Sequence, residues 1–231
     1  MRSGSAMPQI VLVDFFKFFS GTPEQMEAVQ LLQSSMPASL LKDDAAWVEA
    51  YRQKPELSNP LSVEYMWQRD NYDGYGDREC QTSSIAMALK FLEVDGINTD
   101  DDYLRLVNRV GDTTEQNTHA MVLSGLGVQA RFATNLHKED IVKQIDDGVP
   151  VPCGLLHHGF ADAPSGGGHW MCVIGYTDTH AICHDPYGEL NMANGKWVST
   201  GEQDGKEVHY SWGNFLKRWD VNGGGGWSWL F

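Results

Sequence analysis

The sequence is poor in cysteine and in basic residues. Its four cysteines, Cys80, Cys153, Cys172 and Cys183, lack the spacing of a disulfide framework and form no CxxC or CxxH pair. This usage favours a reducing compartment and gives no sign of a zinc site. Lys and Arg number 17 against 31 Asp and Glu, a formal net charge of -14. Nucleic acid is therefore excluded as a partner, because phosphate binding requires clustered cationic side chains.

Long apolar runs are missing as well. No stretch approaches the ~20 apolar residues that span a bilayer, so no membrane partner is expected. Residues 1–7 lack the apolar core of a secretory signal, which predicts synthesis in a cytoplasm. A chain of 231 residues can bury a full core, and one domain with a small appendage is favoured over two equal domains.

A polar, proline-flanked stretch, residues 54–60, is typical of a linker and divides the chain. Residues 1–60 are expected to form a small segment with one strand and two helices, and residues 61–231 the main domain. In the main domain a helix is expected from Cys80 to Leu92. A second helix begins near Thr99, and its expected buried stripe is Tyr103, Leu106, Val107 and Val110.

In the second half of the main domain, the sequence pattern predicts mainly strands. They are expected at residues 128–133, 149–156, 170–176, 180–185 and 196–199, with one helix at 138–147. The glycines at 223–226, followed by Trp227 and Trp229, are interpreted as a flexible turn and an aromatic anchor. A helical half beside a strand-rich half predicts an α+β fold with a site between the two halves.

Cys80 is the candidate nucleophile. It begins the polar run Cys80-Gln81-Thr82-Ser83-Ser84 at the expected start of a helix. Unpaired N–H groups and the helix dipole favour a thiolate at that place. A buried, inert cysteine is the commoner alternative, and it is the better interpretation of the other three, which fall in predicted strands. Thiol chemistry needs no metal or cofactor, and none is expected.

His169 and Asp185 are the candidate base and its orienting carboxylate. His169 follows three glycines and opens one predicted strand, and Asp185 closes the next. If the two strands form a hairpin centred on Thr177, residues 169 and 185 lie directly opposite each other on one face. His157 and His158 are the nearest rivals, but neither faces an aspartate in an adjacent predicted strand. Metal binding by this pair with Cys153 fits no common zinc spacing.

A side-chain amide is expected to assist the backbone N–H of Cys80 in binding an oxyanion. Gln68 lies upstream of the thiol and is one candidate. Gln81 and Asn71 are equally plausible from the residues alone.

These motifs resemble those of papain-like cysteine peptidases, and within them the bacteriocin-leader (double-glycine) type and its phage and bacterial relatives. The resemblance covers residues 62 to 220 and implies an antiparallel sheet packed on the nucleophile helix. By resemblance, Cys80 is the nucleophile, His169 the base, Asp185 the orienting residue and Gln68 the oxyanion donor. It is carried by Trp67-Gln68-Arg69-Asp70-Asn71, Cys80-Gln81-Thr82-Ser83-Ser84, Gly167-Gly168-His169-Trp170 and His184-Asp185-Pro186-Tyr187-Gly188.

The leading functional hypothesis is a cysteine endopeptidase that cuts peptidoglycan stem or cross-bridge peptides, an endolysin-like role. It would be made in the cytoplasm and act at the wall after release. Leader-peptide or protein processing shares every catalytic residue and stays open, and amide transfer between side chains is a third hypothesis. A hypothesis of another class is an inactive wall-binding or peptide-binding module. The run Phe15, Phe16, Phe18 and Phe19 favours a bracing role for residues 1–60 over wall binding.

Overall fold

A computed structural model describes residues 59–231 of the chain. The predictions for the N-terminal segment therefore lie outside the described residues, and the domain boundary stays a prediction. Within residues 59–231 no helix is long and apolar enough to cross a bilayer. In this described part of the chain, two short 3-10 helices, Gln68–Asp70 and Gly76–Arg78, are followed by five α-helices. The α-helices are α1 (Cys80–Phe91), α2 (Asp100–Val110), α3 (Gln116–Gly125), α4 (Lys138–Asp146) and α5 (Trp212–Trp219).

Eight strands form two antiparallel sheets within the described residues 59–231. The large sheet has the order β1-β8-β2-β3-β4-β7, and β5 pairs with β6 in a separate hairpin. The helices and the antiparallel sheet together confirm the predicted α+β class. The strands are β1 (Arg131–Leu136), β2 (Val151–Leu155), β3 (His169–Tyr176), β4 (His180–His184), β5 (Glu189–Asn191), β6 (Lys196–Ser199), β7 (Val208–Ser211) and β8 (Gly226–Leu230).

Helix α1 is the central helix of the fold. It begins at Cys80 as predicted, and every residue from Gln81 to Leu89 is buried. It contacts β3 on one side and α2 on another. Small residues such as Ser83, Ala86 and Ala88 let these neighbours approach closely. The helix is therefore held from several sides, and its first turn has a fixed position relative to β3.

Helix α2 has the predicted cap but not the predicted buried stripe. The Thr99 hydroxyl accepts from the Asp102 N–H, and the Asp102 carboxylate accepts from the Thr99 N–H. Tyr103 and Val107 are buried as expected, but Leu104 replaces Val110, which is 43% exposed. Leu106 is only partly buried. The stripe is rotated because α2 is covered on one side by α1 and on another by α3, and α3 was not predicted.

The C-terminus corrects a second expectation. Residues 226–230 form β8, which pairs with β1 and β2 in the large sheet. Trp229 is 1% exposed, so the two tryptophans belong to a central strand and not to a flexible anchor. Strand β1 correspondingly lies three residues later than predicted, where it can pair with β8. The elements that the sequence did not predict are α3, β5, β7, α5 and β8.

The β3–β4 hairpin has a different register from the one expected. Its tip pairs Tyr176 with Ala181, and continuing that pairing would place Asp185 opposite Cys172, away from the face of His169. A bulge between Val173 and Gly175 adds one residue to β3, so that Cys172 pairs with His184. Carried on by one residue, this register aligns Asp185 with Met171. Asp185 and His169 therefore share a face as diagonal neighbours, not as a directly opposed pair.

Candidate active site

His169 and Asp185 form a buried hydrogen-bonded pair. The His169 Nε2 atom lies 2.7 Å from Asp185 Oδ1. His169 is 4% exposed and Asp185 is fully buried. Gly166 and Gly168, just before the histidine, have φ angles of 108° and 94°, a conformation that a side chain rarely adopts. The glycine run thus allows the sharp path that brings the chain into β3 at His169.

The Asp185 carboxylate accepts three hydrogen bonds. Besides His169, Oδ1 accepts from the Tyr187 N–H at 3.1 Å. Oδ2 accepts from the Tyr210 phenol at 2.9 Å. The main-chain oxygen of Asp185 accepts from the Tyr65 phenol at 3.0 Å. A fully buried carboxylate needs such partners because water cannot reach it.

Cys80 lies at the first position of α1 and is half-buried. The proximity of its thiol is one of the causes that raise the pKa of the His169 imidazole. Because Nε2 of His169 is bonded to Asp185, Nδ1 is the ring nitrogen left for the sulfur. The N–H groups of the first helical turn have no acceptor within a helix.

The surroundings of His169 favour the charged form of its imidazole. Burial acts to lower its pKa, but the charge of Asp185, the hydrogen bond to Asp185 and the contact with Cys80 outweigh burial and raise the pKa to about 10. An imidazolium beside the Cys80 sulfur can therefore act as a proton donor at this position.

Gln68 is buried next to the loop that carries Asp185. Its backbone N–H donates to the Pro186 carbonyl at 3.0 Å, and its side-chain amide donates to the Gly76 carbonyl. An amide nitrogen carries two hydrogens, so one remains for another acceptor. The 3-10 helix that holds Gln68 also contacts α1. Its predicted role as oxyanion donor stays a prediction.

The two other amide candidates have different surroundings. The Asn71 amide donates to the Glu79 carboxylate at 2.5 Å, which commits it to a buried structural contact. Gln81 is 2% exposed, and among the described residues its Nε2 has no hydrogen-bond partner. Gln81 lines the cleft beside Cys80, whereas Asn71 does not.

A cleft of about 330 Å³ opens beside Cys80. One wall is aromatic, formed by Trp170 and Trp227, and a Cβ at Gly154 would collide with the Trp227 indole. The charged Arg78 at the rim pairs with Asp112 at 3.0 Å. Neutral groups supply the rest of the wall: Gln81, Gln116, Thr113, Thr114, Leu156 and the glycines 166, 167 and 168.

His157 and Trp197 adjoin the histidine pair and were not assigned to the site from the sequence. The centroid of the His157 ring lies 5.8 Å from that of His169 and 3.9 Å from that of His158, to which it is tilted by 40°. Burial, and then repulsion from His169, lowers the pKa of His157 to about 4, so it is neutral at pH 7. The adjacency of His157 and His158 in the sequence was the available signal, but it suggested a rival pair and not a neighbour of His169.

The remaining cysteines are packing residues, as expected. Cys153, Cys172 and Cys183 are fully buried in β2, β3 and β4. Burial raises the pKa of the Cys153 thiol to about 12 and those of the other two well above the ordinary value. His184, also interpreted as structural, has its Nε2 atom 2.9 Å from the Val63 carbonyl. Within residues 59–231 no group of three or more His, Cys, Asp or Glu side chains could hold a metal ion.

The chain was compared with protein-family models, with curated proteins and with solved structures. Residues 60–225 match the model of the Peptidase_C39-like family. The chain is also similar to a crystal structure assigned as a C39-like peptidase from Bacillus anthracis, with 18% identity and a TM-score of 0.49. That similarity covers 74% of this chain and 95% of the other. No curated protein matches the sequence.

Papain-like cysteine peptidases set a thiol-bearing helix against an antiparallel sheet that bears the imidazole, and this α+β arrangement is present here. The family match extends over most of the chain, which therefore belongs to the Peptidase_C39-like family. It is a cysteine peptidase, and its substrate is a peptide.

Proposed function

We propose that the chain is an endopeptidase that uses Cys80, His169 and Asp185 as a catalytic triad on peptidoglycan stem or cross-bridge peptides. The observation that carries the triad is the 2.7 Å hydrogen bond from His169 to the buried Asp185, with Cys80 against the same imidazole. Synthesis in the cytoplasm and action at the wall after release, an endolysin-like role, belong to the proposal.

In the acylation step, the Cys80 thiolate attacks the carbonyl carbon of the scissile peptide bond. The developing oxyanion accepts from the Cys80 backbone N–H and from the free amide hydrogen of Gln68. The tetrahedral intermediate collapses as the C–N bond breaks. His169 gives its proton to the leaving amine, and a thioester to Cys80 remains.

In the deacylation step, neutral His169 takes a proton from water as the water oxygen attacks the thioester. The C–S bond breaks, the acid product leaves, and the thiolate–imidazolium pair is restored. Asp185 keeps the imidazole oriented through both steps and stabilises its charged form. The net reaction is hydrolysis of one peptide bond.

The cleft beside Cys80 supports a short peptide with small or neutral side chains. Its walls offer amides, hydroxyls and indoles, and the Arg78 charge at the rim is already paired with Asp112. Above Gly167 and Gly168 a Cβ would meet nothing within 4 Å, so the cleft is open along this run. The net charge of -14 gives no attraction to an anionic wall, and binding must come from shape and hydrogen bonds.

The test is digestion of purified muropeptides, with fragments weighed by mass spectrometry. The expected result is cleavage of one type of stem or cross-bridge bond, and no cleavage by Cys80→Ala or His169→Ala. His209→Ala is the matched control, because His209 is an exposed histidine on β7, and it should retain parent activity. Circular dichroism should show the same fold in all variants.

The same assay separates the other hypotheses. If the protein cleaves after a Gly-Gly leader sequence and leaves muropeptides uncut, its function is protein processing and not wall hydrolysis. The proposed triad would be unaffected by that result. An active Cys80→Ala variant would disprove the mechanism. Failure of iodoacetamide to label Cys80 at mildly acidic pH would instead favour an inactive binding module, since a thiolate reacts readily there.

A further inference from the structure

The two oxygens of the Asp185 carboxylate have different partners. Oδ1 receives the His169 ring N–H and the Tyr187 backbone N–H. Oδ2 receives the Tyr210 phenol at 2.9 Å. Since Asp185 is fully buried, the phenol occupies a place that no water can take over without a rearrangement. Tyr210 thus contacts the orienting carboxylate on the side away from the imidazole.

Tyr210 is held rigidly in that position. It lies on β7, is 4% exposed and pairs with Ala181 of β4, which places it on the face of β4 that leads to Asp185. The phenol oxygen also accepts from the Leu190 N–H at 2.9 Å. With one bond received and one given, the hydroxyl hydrogen has a single orientation, toward Asp185.

We propose that Tyr210 is a positioning residue for His169 and Asp185. Its phenol fixes the Asp185 carboxylate and weakens the hydrogen bond that this carboxylate accepts from His169. The proposal rests on the triad of the proposed function. A hydrogen bond to a carboxylate stabilises its charged form. When that bond is removed, Asp185 becomes a stronger acceptor for His169, and the imidazolium holds its proton to higher pH.

The phenol keeps its proton throughout the working range. Burial, and then the charge of Asp185, raises the pKa of Tyr210 well above its ordinary value. Four other groups around His169 and Asp185 are also neutral near pH 7: the pKa values of Tyr65, Tyr187 and the Cys183 thiol are raised, and that of His157 is lowered. Glu79, next to Cys80, has its pKa raised to about 7, well below the value of about 10 for His169. The alkaline step in the pH response of the site therefore reports His169.

The test is the pH dependence of Cys80 alkylation by iodoacetamide in the native protein. It needs no substrate, and the other three cysteines are fully buried. The alkaline step of this profile reports loss of the His169 proton. In Tyr210→Phe we expect that step to move up by about one pH unit, the usual size for a hydrogen bond to a charged group. Placing 3-fluorotyrosine at position 210, a stronger donor of nearly the same shape, should move it down.

Tyr65→Phe is the matched control. Tyr65 donates to the main-chain oxygen of Asp185 and not to its carboxylate, so the alkaline step should stay where it is in the parent. The proposal would be overturned if the alkaline step stayed in place both in Tyr210→Phe and in the 3-fluorotyrosine protein. It would also be overturned if Tyr65→Phe shifted the step by the same amount. The fluorinated protein keeps the test decisive if Tyr210→Phe does not fold. If the parent protein does not cleave muropeptides but the alkaline step shifts as expected, the wall substrate is wrong and the role of Tyr210 stands.

Discussion

Trp197 covers the imidazole of His169 edge to face, with ring centroids 5.1 Å apart and ring planes at 88°. Its ring also lies 4.6 Å from that of Tyr187. Trp197 is half-buried on β6, whereas His169 is almost fully buried. The indole therefore separates the hydrogen bond between His169 and Asp185 from solvent, where a charge-assisted hydrogen bond would be weaker.

We expect Trp197→Ala to lower peptidase activity about tenfold, a part of the usual general acid–base contribution, and to move its alkaline limit to lower pH. Water entering beside His169 weakens both the burial effect and the attraction of Asp185. Because the attraction dominates, the His169 pKa falls from about 10 toward its ordinary 6.5. The imidazolium is then lost at lower pH. The pH profile of kcat/KM measures this shift.

Val198→Ala is the control for that variant. Val198 is the next residue on β6 and is 58% exposed, so it faces away from the neighbour of His169. Its profile should match the parent. An unchanged alkaline limit in Trp197→Ala would mean that the indole does not exclude water from the pair.

The sequence was sufficient to find the helix start at Cys80 and the strands that carry His169 and Asp185. These signals are local, because a helix cap and a β-rich run depend on neighbouring residues. The register was wrong by two residues because the bulge at Ile174 has no pattern of its own. Because side chains alternate between the two faces of a strand, a shift of two residues leaves His169 and Asp185 on the same face of the sheet.

The partners of the pair could not be predicted from local pattern. Tyr210 reaches the site through the pairing of β7 with β4, two strands that are separated in the chain by the β5–β6 hairpin that carries Trp197. Strand β8 was missed for a similar reason: glycines before Trp227 favour a turn locally, but pairing with β1 and β2 outweighs that preference. Pairing between distant strands is thus the part of this fold that short stretches of sequence do not predict.

Gly205 is expected to be a sensitive position for the site. The Asp185 N–H donates to the Gly205 carbonyl at 2.8 Å, and a Cβ on Gly205 would collide with the Asp185 carbonyl oxygen. Gly205→Ala should displace the Asp185 backbone, lower kcat and destabilise the fold by about 1–3 kcal/mol. Urea unfolding and muropeptide cleavage measure the two effects.

Gly213→Ala provides the comparison for Gly205→Ala. Gly213 lies in α5, and a Cβ there would meet nothing within 4 Å. Alanine is the better helix former, so this variant should gain up to about 1 kcal/mol and keep full activity. Equal stability of the two variants would contradict the steric argument.

The fully buried Arg218 holds the loop that carries His157. Its guanidinium donates to the carbonyls of Leu156 at 3.0 Å and His158 at 3.1 Å, and to those of Met192 and Gly159 at 2.7 Å. Arg218→Met would leave these carbonyls without their donors. We expect a loss of about 3–5 kcal/mol in the free energy of unfolding, as for a buried charge contact that loses one partner.

Lys217→Met isolates the effect of burial from that of charge. Lys217 is the neighbouring cation, exposed and paired with Asp162 at 2.5 Å. Exposed pairs contribute about 0–1 kcal/mol, so this variant should unfold at nearly the parent urea concentration. A loss below about 1 kcal/mol in Arg218→Met would show that the loop finds other donors.

Glu79 immediately precedes Cys80 and is expected to make stability depend on pH. It is 1% exposed. Burial, opposed by the Asn71 hydrogen bond and assisted by Asp73 and Asp100, raises its pKa from 4.5 to about 7. The folded protein thus holds a proton that the unfolded chain releases, and this carboxyl lowers stability as pH rises from about 4.5 to 7.

We expect Glu79→Gln, which is neutral at every pH, to gain stability relative to the parent across that range, by about 3 kcal/mol at pH 8. Urea unfolding at pH 5, 6, 7 and 8 measures the difference, in which contributions from other groups cancel. Glu202→Gln, at an exposed glutamate, should show no such trend. A flat difference for Glu79→Gln would mean that Glu79 is ionised throughout. A full negative charge would then lie one residue before the thiolate, and His169 would have to offset it.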